Sequence, residues 1–195
     1  TNITRKRNFF GKKKTIETVI QKQNISSQPV EISANNINIK SKGDSVLYST
    51  VMNANNGGNI DIHAKNLKLL VTDELNRKET TTRKKSSFWG LKYNDSKSNN
   101  SYKELSQLPV KAKADYINTR SDFDTLIQGS EFNYLKGATI TAGGNIVITP
   151  ATSRVEQSIH KEKNSVVWQS MQDKGSITET AQLPSFNGPV APKFE

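Results

Sequence analysis

The chain repeats itself, and that repeat limits its fold more than any single motif does. Gly57-Gly58-Asn59-Ile60-Asp61-Ile62 returns as Gly143-Gly144-Asn145-Ile146-Val147-Ile148, 86 residues later. Phe9-Phe10-Gly11 returns as Phe88-Trp89-Gly90 at an offset of 79, and Val30-Glu31-Ile32-Ser33-Ala34 as Val110-Lys111-Ala112-Lys113-Ala114 at 80. Gln107-Leu108-Pro109 returns as Gln182-Leu183-Pro184. A unit of about 80 residues, written about two and a half times in one internal order, predicts an elongated repetitive architecture rather than one compact core.

Composition agrees. Hydrophobic residues are 33% of the 195, below the roughly 45–50% of ordinary globular domains. A narrow core shared along a stack fits that number. There is no cysteine, hence no disulfide scaffold. No run approaches the 18 apolar residues of a membrane helix, and no signal-peptide pattern opens the chain. It begins inside a repeat motif and ends after the Pro-rich stretch Pro184 to Pro192, so we expect a piece of something longer. Residues 1–183 read as one elongated repeat domain, and 184–195 as a linker toward a downstream region.

The repeat has two halves. In one, Ile60 and Ile62 alternate with Asp61 and His63, Leu67 and Leu69 flank Lys68, and Ala138, Ile140 and Ala142 alternate with threonines. Period two with one apolar face predicts half-buried strands. The breaks between them (Lys42-Gly43-Asp44, Asn55-Asn56-Gly57-Gly58, Ala142-Gly143-Gly144-Asn145) have turn chemistry. With no amphipathic helix between them, these strands predict the rungs of a parallel β-helix, about 4.8 Å apart. Asn35, Asn36, Asn55, Asn56 and Asn59 would ladder at its corners.

The other half is polar, charged and centred on an aromatic. Glu79 to Lys85 leads into Phe88-Trp89-Gly90, Arg5-Lys6-Arg7 precedes Phe9-Phe10-Gly11, and His160 to Lys163 precedes Val166-Val167-Trp168. These read as strand excursions that leave the rungs and return. Neighbouring excursions should pair, because a lone hairpin is marginal. Their aromatics should pack between the excursions or on the rungs.

This succession of elements resembles the haemagglutinin repeats of two-partner-secretion exoproteins. These include filamentous haemagglutinins and the contact-dependent growth inhibition proteins of Gram-negative bacteria. Asp122 to Ser130 and Leu135 to Asn145 have the family's look, and Val167 to Gly175 with Leu183 to Pro189 resembles the end of such a repeat array. The resemblance covers nearly the whole chain. It implies a right-handed β-helix, export through an outer-membrane two-partner-secretion transporter and display on the bacterial surface. It also implies a role in adhesion or in carrying a toxin to a neighbouring cell.

The formal charge of +10 is concentrated. Residues 1–33 carry net +5 and residues 83–113 net +6, so the rest is about neutral. Two similar protruding basic surfaces are expected, with Lys12, Lys13, Lys14, Arg83, Lys84 and Lys85 as candidate contacts. An anionic partner such as lipopolysaccharide, an acidic glycan or a target-cell surface receptor would suit them. The alternative is a solvated strand edge protected by lysine. No nucleic-acid motif is present, and none is expected as partner.

Asp122 and Asp124 lie two apart, and on a strand they would share a face. That spacing raises polysaccharide cleavage, but the equivalent positions hold Asp44 and Val46, so a corner role is the simpler reading. His63 and His160 sit in different elements and read as surface residues. Nothing resembles a nucleophile elbow or a P-loop. The sequence therefore predicts no cofactor, no metal and no enzyme.

Overall fold

The computed structural model describes residues 2–7, 12–166 and 168–195. Phe9, Phe10, Gly11 and Val167 lie outside them. The chain is all-β: 77% strand, in parallel and antiparallel sheets, with no helix among the described residues. In chain order the strands are β1 (Asn2–Arg7), β2 (Lys12–Ile25), β3 (Glu31–Ala34), β4 (Ile37–Lys40), β5 (Ser45–Tyr48), β6 (Val51–Ala54), β7 (Asn59–Ala64), β8 (Leu67–Leu70), β9 (Thr72–Phe88), β10 (Leu91–Leu108), β11 (Lys111–Ser121), β12 (Thr125–Gln128), β13 (Glu131–Ala142), β14 (Ile146–Thr149), β15 (Ala151–Ser165), β16 (Gln169–Gln182), β17 (Ser185–Asn187) and β18 (Lys193–Phe194).

They form two compact units, each discontinuous in sequence, not the single domain expected over 1–183. Residues 26–74, 106–153 and 180–195 make a parallel unit; residues 1–25, 75–105 and 154–179 make an antiparallel one. The excursions separate because they are polar on both faces and self-paired, whereas the short strands must bury one apolar face.

In the parallel unit each pass of the chain lies in parallel register on the one before. β6, β7 and β8 pair with β3, β4 and β5. β11 takes both β6 and β7 along its length, and β12 takes β8. β13 and β14 follow on β11 and β12. The registers align side chains into columns: Ile32, Met52, Ala112 and Phe132 in one, Ile37, Ile60, Ile117 and Ala138 in the next. Met52, Ile60, Ile117, Phe132 and Ile140 are fully buried. Strand alternation turns Asp61 and His63 to the other side. A break in register after Ala114 marks a bulge in β13, where Leu135 and Lys136 oppose the single residue Asp115.

Residues 184–195 are not a linker. β17 and β18 add to the two halves of β13. Phe186 stacks on Phe132 with ring centroids 4.8 Å apart, and Phe194 meets Phe186 edge-on at 5.4 Å. The Tyr134 hydroxyl donates to the Val190 carbonyl at 2.7 Å. Two phenylalanines and a return to the ladder outweigh the Pro-Gly composition.

The turns bear out the corner amides at Asn35, Asn36 and Asn56. Asn56 donates to the Asn35 side chain at 3.1 Å, and the Asn59 backbone N–H to Asn36 at 2.9 Å. The two Gly-Gly-Asn motifs, however, occupy different corners. Gly57-Gly58 sits between β6 and β7, and Gly143-Gly144 between β13 and β14. The register instead relates Val51 through Lys111 to Glu131, an offset of 80. The same turn chemistry recurs wherever a turn must approach the backbone of the previous pass. A Cβ on Gly58 would lie 1.4 Å from the Asn35 carbonyl oxygen, and one on Gly143 would lie 2.2 Å from that of Asp122.

Candidate functional site

The antiparallel unit holds the basic runs. Its sheet is six-stranded, ordered β1-β2-β9-β10-β15-β16. The excursions therefore pair with one another, as the sequence predicts. None of this unit's residues 2–5, 12–25, 75–105, 154–166 and 168–179 is buried. It is a single layer held by ladder hydrogen bonds and cross-strand pairs such as Val19–Thr81 and Ile20–Thr80.

The two basic runs form one surface, not two. β2 and β9 are neighbours, with Lys12 opposite Phe88, Lys14 opposite Ser86, Thr15 opposite Lys85, Ile16 opposite Lys84 and Glu17 opposite Arg83. Pairing of adjacent excursions brings together what the sequence holds some 70 residues apart. Alternation then sorts the charges. Lys12, Lys14 and Lys84 point to one face; Lys13, Arg83 and Lys85 point to the other.

The two faces differ chemically. On the Arg83 face Arg83, Arg154 and His160 are paired, whereas Lys13 and Lys85 form no ion pair among the described residues. Arg83 grips both Asp95 oxygens, at 3.1 and 2.6 Å. This hydrogen bonding holds the Asp95 carboxyl below its usual range and raises the Arg83 guanidinium. Arg154 is ion-paired with Glu156 and Glu179 at 2.7 and 3.3 Å. His160 lies between Glu162 (2.8 Å) and Asp173, whose hydrogen bonds raise its pKa above the ordinary imidazole value.

The other face is lysine. Thr82, Lys84, Ser96, Ser98, Lys161 and Lys163 surround an open hollow of about 300 Å³, together with Lys97 and Glu162, which lie between them along the strands. Lys12, Lys14, Lys84, Lys161 and Lys163 are exposed, and none is ion-paired among the described residues. Strand alternation points Glu104 to this face, and the Tyr102 hydroxyl donates to it at 2.9 Å.

The hairpin ends carry the aromatics, and there the expectation of packing fails. Trp89 is 81% exposed, Leu91 78%, Val166 78% and Trp168 59%. The β9–β10 turn has Trp89 at φ 50° and Gly90 at φ 84°. Consecutive positive φ values suit the twist of a two-residue hairpin turn, but at Trp89 they place a bulky side chain in the left-handed region. Asn94 lies opposite Ser165, so the tips of β9–β10 and β15–β16 are side by side. The Phe9-Phe10-Gly11 copy lies outside the described residues.

The remaining sequence candidates belong to the parallel unit. Asp122 and Asp124 fall in the turn after β11 and have separate partners. Asp122 meets His63 Nε2 at 3.0 Å. Asp124 accepts from the Asn145 backbone N–H at 2.8 Å, and its own N–H donates to Asn66, which bonds Asp44 at 2.7 Å. These are corner ladders. An open groove of about 440 Å³ is lined by Asn55, Asn56, Asp115, Asn133, Tyr134 and Asn187 among others. Asp115 is nearly buried and salt-bridged to Lys136 at 2.7 Å, which raises the Lys136 pKa. No group of three metal-ligating side chains exists among the described residues.

Reasoning from sequence misses Lys161 and Lys163 as part of the lysine face. The signal was present: lysines two apart, as at Lys12 and Lys14, share a face once a strand is assumed. No protein-family model, curated protein or solved structure matches the chain.

Proposed function

We propose that this chain is a shaft segment of an exported bacterial surface protein, with the parallel passes wound as a right-handed β-helix. The observation that carries the reading is the unbroken parallel register from β3 through β6, β11 and β13 to β17. Such a stack transmits order from pass to pass and needs neither disulfide nor cofactor. The family resemblance adds the setting: passage through an outer-membrane two-partner-secretion transporter, then adhesion or delivery of a toxin to a neighbouring bacterium. A second reading, a glycan- or lipopolysaccharide-binding module, is favoured by the unpaired lysines of the excursion sheet. An in-frame deletion of these residues in the encoding gene tests the shaft. Surface labelling, cell adherence and growth inhibition of neighbouring cells are the readouts. Loss of adherence or of inhibition is expected, and unchanged behaviour in both assays overturns the reading.

A further inference from the structure

We propose that the hairpin end of the antiparallel unit docks into the headgroup region of an anionic lipid bilayer. The inference stands on this unit alone, independently of the shaft reading.

Four large apolar side chains, Trp89, Leu91, Val166 and Trp168, are all more than half exposed at the adjacent tips of β9–β10 and β15–β16. In a single-layer sheet they have no core to enter. Trp89 in addition holds a left-handed backbone conformation, which costs a bulky L-residue about 1–2 kcal/mol. Asparagine or glycine would fill that turn position without the cost. A strained, exposed tryptophan at a hairpin tip contributes little to folding, so its use is external.

Lysines ring this end. Lys12, Lys13 and Lys14 lie opposite Phe88, Ser87 and Ser86, within about three residues, or roughly 10 Å, of the turn. Lys84 and Lys85 follow on β9, and Lys163 lies opposite Ser96. The carboxylates nearest the end are already engaged on the Arg83 face, Asp95 by Arg83 and Glu162 by His160. The end is therefore apolar at its tip and cationic just behind it. Tryptophan settles at the level of lipid headgroups, and lysine stems lie along apolar surface while their ammonium groups reach outward. Anionic lipid attracts each such lysine.

A soluble polyanion is the competing occupant. It would satisfy the lysines and leave Trp89, Leu91 and Val166 in water. Arg5, opposite Thr15 on the neighbouring strand, is exposed as well, so the cations alone suit either occupant and the apolar tip decides between them. A bilayer satisfies the apolar tip and the cationic collar together.

The chain has two tryptophans, both at these tips, so intrinsic fluorescence reads the site directly. The unmodified chain is titrated with vesicles of phosphatidylcholine containing phosphatidylglycerol, and with vesicles of phosphatidylcholine alone. On the anionic vesicles we expect a blue-shifted emission and protection from acrylamide. Binding should fall more than tenfold in high salt and be far weaker on neutral vesicles. Changing Lys12, Lys14 and Lys84 to serine should lower the partition coefficient by about 100-fold. A Trp89→Ser/Leu91→Ser variant should lose the acrylamide protection of Trp168. Circular dichroism of each variant checks that the sheet persists, and the quenching of the unmodified chain needs no variant. An unchanged emission on anionic vesicles overturns the proposal. So does binding to them with both tryptophans still open to acrylamide, or an equal shift produced by heparin, which would assign the surface to a soluble polyanion.

Discussion

Adding a single methyl group at Gly58 should break the parallel unit at its first corner. A Cβ there would sit 1.4 Å from the Asn35 carbonyl oxygen and 3.0 Å from that of Asn55. An ordinary carbon–oxygen contact is about 3.3 Å or longer, so the turn must move by almost 2 Å, and both obstacles are main chain. Four backbone N–H groups donate at that corner: Asn55 to Ala34 at 2.8 Å, Gly58 to Asn55 at 3.0 Å, Asp115 to Gly58 at 2.9 Å and Asn59 to the Asn36 side chain at 2.9 Å. Losing half of them at roughly 1 kcal/mol each, with some strain in the rest, amounts to about 3 kcal/mol. Gly43 is the control. Nothing lies within 4 Å of its added Cβ, so Gly43→Ala should stabilise by about 0.5 kcal/mol through the unfolded chain. Urea unfolding followed by circular dichroism separates the two. With a slope of about 2 kcal/mol per molar, Gly58→Ala should lower the midpoint by more than about 1 M. Amide exchange at Asn55 and Asp115 locates the damage. A Gly58→Ala midpoint within about 0.3 M of the unmodified chain, with both amides still protected, refutes the close-approach argument.

Four further outcomes are expected. Phe186→Ala should cost about 3 kcal/mol by uncovering Phe132, and its urea midpoint should fall accordingly. Thr119 is 1% exposed in the column of Ile62 and Ile140, and its hydroxyl has no partner among the described residues; Thr119→Val should stabilise by about 1 kcal/mol in the same assay. His160 should titrate above 6.5, so its contribution is fully present below that pH and is lost as pH rises through the higher folded value; proton NMR of the imidazole checks this, and Asp173→Asn should bring the value back down. The Asp95 carboxyl should titrate below 3.8, contributing stability that is present above that pH and lost as pH falls through the folded value; carbon NMR of Arg83→Ala should show it returning toward 3.8.

Much of the fold was legible because its signals are local. Ile60 and Ile62 alternate with polar neighbours, and both are buried. The corner amides Asn35, Asn36 and Asn56 declared themselves by composition and do bond across passes. The offset of 80 between Val30-Glu31 and Val110-Lys111 matches the register. The Gly-Gly-Asn offset of 86 does not, because a glycine pair records a close approach and not a position within a pass. The aromatics misled for a related reason. Recurrence in a repeat usually marks packing, but Trp89 recurs at a hairpin tip, where it meets the Phe88 ring at 6.2 Å and stays 81% exposed. The union of the two basic runs was illegible because it depends on which excursions become neighbours, a choice made by tertiary pairing. The tail misled because proline and glycine outnumber Phe186 and Phe194, although the two rings decide its path.

The antiparallel sheet has no interior, and that has a consequence for how its sequence can vary. Replacing a core side chain leaves a void or forces a clash, so cores hold their sequences tightly. Here a substitution on either face leaves no void, and its cost is limited to the cross-strand pair it breaks, such as Arg83 with Asp95. Surface chemistry can drift quickly on such a framework: charge can migrate from one face to the other, or a tip can exchange its tryptophan, with little effect on folding. The same property makes the sheet a ready scaffold for displaying chosen residues at fixed spacings of about 7 Å along a strand and 4.8 Å across it.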